Sequence, residues 1–189
     1  MSVWHWAFIA LIVSALSAIA KAIRAGSAER ADSMFNVSGW LALLIASLGV
    51  VAPLLNALSL NTGFGAAEAL TPGLAGAADW STYKTGCWSA LTLASLVGIY
   101  AAFELAFTRN VGAVTAAIVA VWGAGPGLSL GLSLLAPALV FGHVQVTAGD
   151  AARLVSSVLL AAAWTAYLLK SQRVKMRYTD GLLPDPRRA

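Results

Sequence analysis

Few residues of this chain bring chemistry into an apolar segment, and Glu104, Asn56 and the run Gly123-Ala-Gly-Pro-Gly127 are the ones that stand out. An acid inside a spanning helix marks an ion or proton path by default, but within a turn of the surface it also snorkels or meets a basic neighbour. A helix starting at Cys87 puts Glu104 ~25 Å below its outer end, near the inner interface. Lys170 is its expected partner there, because Arg109 stands ~140° round the helix from Glu104. Asn56 is expected to hydrogen-bond a neighbouring helix, worth only ~1 kcal/mol in a membrane, with ion coordination as the sharper alternative. Pro126 removes a helical hydrogen bond among permissive glycines, so the helix carrying it is expected to kink or break at Gly123–Gly127. A broken helix with free backbone is one way to bind an ion or substrate. The spacing Gly123-xxx-Gly127-xxx-Gly131 also lines one face with hydrogen and invites close helix packing.

Familiar catalytic layouts are missing. The sequence has no GxSxG, HExxH, Walker loop, Rossmann fingerprint or CxxC. His5 and His143 are too few for a histidine-rich metal centre, and the lone Cys87 excludes an intramolecular disulfide or a thiolate metal site. No catalytic residue, metal or cofactor is expected, and no nucleophile sits beside a base.

The elements that would position these residues are membrane helices. Of 189 residues, 59% are hydrophobic and 11% charged, far from the roughly 25% charged of an average soluble domain. Charge-free runs cover Met1 to Ala20, Ser33 to Ala67, Thr85 to Phe103, Asn110 to Gly149 and Leu154 to Leu169, most of them long enough for the ~20 apolar residues of a span. The expected fold is an all-α integral membrane protein, a bundle of five transmembrane helices. The first runs from Val3 to Ile23 with Trp4 and Trp6 at the outer interface, and a cytoplasmic loop to Asn36 follows. Basic residues after that apolar run, and none before it, argue against a cleaved signal peptide. The second span opens at Ser38-Gly39-Trp40 and ends near Leu60; the segment Asn61 to Gly86, rich in Gly, Ala and Pro, is expected to be an outer loop with little helix. Trp80, Tyr83 and Trp88 read as an interfacial aromatic belt. Lys21, Arg24, Arg30, Arg109, Lys170, Arg173, Lys175, Arg177, Arg187 and Arg188 fall on one side, and Lys84 and Arg153 on the other, which orients the chain N-out and C-in. The net charge of +4 sits beside apolar spans, where lipid phosphate is a nearer anion than nucleic acid.

The last hydrophobic stretch, Arg153 to Tyr178, turns abruptly from apolar to basic. On a continuous helix Arg153, Trp164, Tyr167, Ser171 and Val174 share roughly 80° of arc and form a packing seam against the second and third spans. Lys170, Arg173 and Arg177 lie on the far side and, with Lys175, are the expected contact for anionic lipid or a partner.

Ser38-Gly39-Trp40-Leu41 opening one span and Arg153…Trp164-xx-Tyr167-xxx-Ser171-x-Arg173-Val174-Lys175 closing the last resemble a family of small bacterial inner-membrane proteins catalogued as domain of unknown function 2569. The resemblance covers Gly39 to Tyr178 and implies four spans with both ends cytoplasmic. It departs at Ala166, where family members commonly carry Trp-x-Pro-Tyr, and at Arg177-Tyr178, where they end in Thr-Phe. The expected organisation is an extra N-terminal span and loop over 1–36, a four-span domain over 37–178 and a disordered cytoplasmic tail over 179–189. The family brings no activity. The reading is a non-enzymatic accessory module of the bacterial inner membrane that binds lipid, a membrane protein or a second copy of itself. The alternative is a small oligomeric transporter using Glu104 and the broken fourth helix.

Overall fold

The computed structural model of the chain describes residues 10, 13, 14, 17, 40–108, 110–143 and 146–179, the side chains of 173 and 179 excepted. Ala10, Val13, Ser14 and Ser17 are helical; the rest of the first predicted span, the loop after it, Gly39, Arg109 and the tail lie outside the described residues. Everything described is helix or short connection. Four helices are long and apolar enough to cross a membrane: α1 (Trp40–Leu70), α2 (Ala78–Phe107), α3 (Val111–Phe141) and α4 (Ala148–Lys170). They are the second to fifth predicted spans. A short amphipathic helix, α5 (Gln172–Thr179), follows.

The expected outer loop is mostly helix. α1 continues to Leu70 and α2 resumes at Ala78, with the reversal made by Gly73 at φ 86, a backbone state that glycine adopts without a Cβ clash. Alanine-rich sequence is a strong helix former once something holds it. Here Phe64 meets Trp80 and Tyr83 edge-on, with ring centroids 5.5 and 6.0 Å apart. Glu68 receives hydrogen bonds from Trp80 Nε1 at 2.8 Å and Lys84 Nζ at 2.6 Å. The aromatic cluster is thus a clamp on the hairpin, joined by Phe141 from α3.

The helix through Gly123–Gly127 is not broken. Gly123, Leu128, Gly131 and Ala136 all keep right-handed helical dihedrals. The chain instead widens into π turns at Gly123–Gly127 and Gly131–Leu135 in α3, and at Ser47–Val51 in α1. Each widened turn contains or precedes a proline: Pro126, Pro137 and Pro53. Proline withholds one N–H and crowds the carbonyl four residues back, and a π turn re-registers the neighbouring bonds so that the helix continues.

The closest helix approach also differs from the glycine stripe. A Cβ on Gly123 or Gly131 would meet nothing within 4 Å, and one on Gly127 would meet only its own helix, Trp122 O at 3.2 Å. The tight contact lies between α1 and α2: a Cβ on Gly98 would stand 2.9 Å from Leu48 O, and one on Gly49 3.3 Å from Ala102 Cβ. Leu48 belongs to the π turn of α1, so the widened backbone itself rests on Gly98. We expect Gly123→Ala and Gly131→Ala to leave the thermal unfolding midpoint unchanged or raised, since alanine is favoured over glycine in a helix by ~1 kcal/mol. A lowered midpoint in detergent, or a changed oligomer size, would show that this stripe does meet a partner.

α4 is held mainly by α3. Ala161 and Leu168 join Ala117, Ala120 and Val121 in the core, and Trp122 Nε1 donates to Thr165 Oγ1 at 3.0 Å. Thr147 and Asp150 start α4 with a reciprocal capping box. α4 therefore packs chiefly on the predicted fourth span, while Trp164 of the seam meets Trp40 of the second, ring centroids 6.2 Å apart.

Candidate functional site

α4 does not run on to Tyr178. Ser171 has ψ 122, extended, and α5 begins again at Gln172. The break swings Val174 and Tyr178 under the bundle, both 2% exposed. Tyr178 Oη donates to Leu105 O, and Arg177 donates from its guanidinium to Ala106 O at 3.1 Å. These are carbonyls of the last turn of α2, which lack partners within the helix and carry its negative dipole end. Burial pushes the Tyr178 phenol above its ordinary pKa, against the pull of Arg177 beside it, so the hydroxyl keeps its proton and remains a donor. Arg177, expected to face lipid, is turned inward. Lys170 and Lys175 are exposed, and the Arg173 side chain lies outside the described residues.

Glu104 and Asn56 are not brought together. Glu104 is half-buried near the end of α2, where Thr108 Oγ1 donates to its carboxylate at 2.8 Å. Among the described residues, Lys170 makes no ion pair with it. Asn56 instead lines a cleft that no motif announced.

That cleft, of about 620 Å³, lies between α1 and α4 with α3 as its floor. Its volume falls in the ~300–1,000 Å³ range of small-ligand sites. Trp164, whose ring meets that of Trp40, lines one end. Beyond it, Leu44 and Leu48 of α1, Val121 and Leu128 of α3, and Leu160 and Ala161 of α4 give apolar walls. Toward the other end stand Asn56 and Ser59 of α1, Ser133 of α3, and Asp150 and Arg153 of α4. The small hydroxyls Ser47, Ser129 and Ser157 lie between, the last already donating to Leu154 O at 2.8 Å. Arg153, placed on the seam by its helical arc, is exposed at the cleft.

α4 is the least covered helix: 11% of its most apolar window is buried, against 33% for α2. Its uncovered side includes Leu159 and Leu160, 65% and 59% exposed. From Arg153 to Trp164 the cleft wall rises ~16 Å along the helix, about one leaflet of a ~30 Å hydrocarbon core. The arrangement is a slot with apolar walls over about one leaflet's depth, followed by a polar, charged level that is bordered by Phe64, Trp80, Tyr83 and Phe141 of the clamp. Among the described residues no group of His, Cys, Asp and Glu stands ready to hold a metal.

The family model described as protein of unknown function, DUF2569, matches residues 34–179. The chain belongs to this family. The match takes in α1 through α5, the clamp and the whole cleft, and the stretch before residue 34 lies outside it. No curated protein and no solved structure matches the chain. The fold that goes with DUF2569 in this chain is therefore described by its own four long helices and the locked C-terminal helix.

Sequence reasoning missed the cleft and the inward turn of Arg177 and Tyr178. One signal was available: Thr147-Ala-Gly-Asp150 has the spacing of a capping box, which starts α4 before Arg153 and places Asp150 and Arg153 on one face.

Proposed function

We propose that this protein is a non-enzymatic accessory module of the bacterial inner membrane, N-out and C-in, that holds a membrane lipid in the cleft between α1 and α4. The observation that carries this reading is the match between slot and ligand: apolar for about one leaflet's depth, then polar with an exposed arginine. An acyl chain in the slot would be drawn from the bilayer itself, so occupancy requires no separate soluble ligand. The orientation is supported by the basic residues beside the spans, with Arg153 and Lys84 on the outer side and Lys170 and Lys175 on the inner. The charge-free run Leu154 to Leu169 spans ~24 Å and sets Arg153 and Lys170 at opposite headgroup levels. Transport is less well supported, because Glu104 lies away from the cleft and the fourth predicted span is unbroken.

The test is the lipid content of protein purified in mild detergent. Leu160 has room for a larger group, and Leu160→Trp places an indole in the apolar slot. We expect the wild type to retain lipid in fixed proportion to protein, and this variant to retain less at unchanged thermal stability. Equal lipid content in the two would sink the proposal.

A further inference from the structure

We infer that the mouth of the cleft is a headgroup site for a phospholipid that carries both a phosphate and a primary ammonium, the phosphate on Arg153 and the ammonium on Asp150. The inference rests on the cleft being a lipid site. Arg153 lines the mouth and, among the described residues, belongs to no ion pair. Its planar guanidinium offers a fork of N–H donors matched to a phosphate oxygen pair. Asp150 stands one turn earlier on the same face of α4. Both capping bonds to its carboxylate, from Thr147 N at 3.1 Å and Thr147 Oγ1 at 2.6 Å, use Oδ2, and a carboxylate's two oxygens offer about four lone-pair sites, enough to accept from a ligand ammonium beside Thr147 and Ser133. Ser133 and Arg153 are the other groups that act on this carboxylate.

The charges at the mouth therefore come as one positive and one negative a helical turn apart. A headgroup bearing only negative charge would satisfy Arg153 and be repelled by Asp150. A quaternary ammonium would balance the charge but has no N–H to give the carboxylate. A primary ammonium does both. The nearby outer charges, Lys84 and Glu68, neutralise each other at 2.6 Å. Asn56 and Ser59 line the same end from α1 and offer neutral hydrogen bonds to the ester region. Below them the slot is ~16 Å deep along α4, the length of one leaflet's acyl chain rather than of a crossing helix.

The experiment exchanges the full chain, in nanodiscs, against equal mixtures of phosphatidylethanolamine, phosphatidylcholine and phosphatidylglycerol with identical acyl chains, and weighs the retained lipid by native mass spectrometry. We expect phosphatidylethanolamine to be enriched about tenfold over each competitor, the effect of one charge-assisted hydrogen bond. Arg153→Gln should lower retention of all three lipids. Asp150→Asn keeps an acceptor for the Thr147 cap and should abolish the preference for phosphatidylethanolamine over both phosphatidylcholine and phosphatidylglycerol. Preference for phosphatidylglycerol, or equal retention of the three lipids that Leu160→Trp still reduces, would overturn the headgroup site and leave the lipid cleft standing. Retention indifferent to Leu160→Trp, or a second protein helix retained in place of lipid, would overturn both.

Discussion

Gly98→Val will be among the most damaging single substitutions in this protein. The smallest possible side chain already brings a Cβ to 2.9 Å from Leu48 O, and the atom it meets is backbone in a π turn, which cannot rotate away. Valine adds two methyl groups to that contact and resists the rotamers that would relieve it. Overpacking of a tight contact costs ~1–3 kcal/mol, and separating α1 from α2 here would also disturb Leu44, Leu105 and their neighbours in the buried core. The expected result is a strongly lowered unfolding midpoint, or loss of the monodisperse peak, in detergent. Gly98→Ala should lie between valine and wild type, while Gly123→Ala serves as the unaffected control. Wild-type stability for Gly98→Val would mean that α1 and α2 are not in this contact.

Tyr178→Ala should have a comparable effect by another route. The ring is 2% exposed and its hydroxyl donates to Leu105 O, so truncation removes the packing and strands a carbonyl at the end of α2. Deleting a buried aromatic side chain costs ~3–5 kcal/mol; Tyr178→Phe, which loses the hydrogen bond alone, should cost ~1 kcal/mol. The separation between the two variants is the point of the experiment. Lys175 and Arg177 make α5 a trypsin substrate when it undocks, so Tyr178→Ala should be clipped there far faster than wild type, and Tyr178→Phe only slightly faster. Because burial raises the Tyr178 pKa, the lock's contribution is complete below the phenol's unfolded value near ~10. It is lost only as the pH rises through the folded value.

The spanning helices could be read from the sequence because length and hydropathy decide them locally, and the closing motif was enough to identify the family. What failed depended on contacts distant in sequence. Residues 61–70 are equally compatible with a loop or a helix until Trp80, Tyr83 and Lys84 close over Phe64 and Glu68. Pro126 announces a lost hydrogen bond, but whether the helix breaks or widens is settled by neighbours that satisfy the freed groups. Glycine spacing identifies a smooth face without saying what lies against it, so the all-glycine stripe on α3 overshadows Gly98, whose own repeat, Ala94-xxx-Gly98-xxx-Ala102, is built mostly of alanine. Ser171 leaves the helix because α5 finds a better position under α2, and that reward is invisible in Leu-Lys-Ser-Gln-Arg. A cleft is space left unfilled by four helices, and no run of residues encodes it alone.

The most direct measurement of the central claim is to replace Leu132, on the floor of the cleft, with a diazirine-bearing leucine analogue and irradiate the full chain in native membranes. The lipid-cleft account predicts a covalent adduct with phospholipid that Leu160→Trp suppresses. An adduct instead with the chain ahead of Trp40, with a second copy, or with another protein would contradict it.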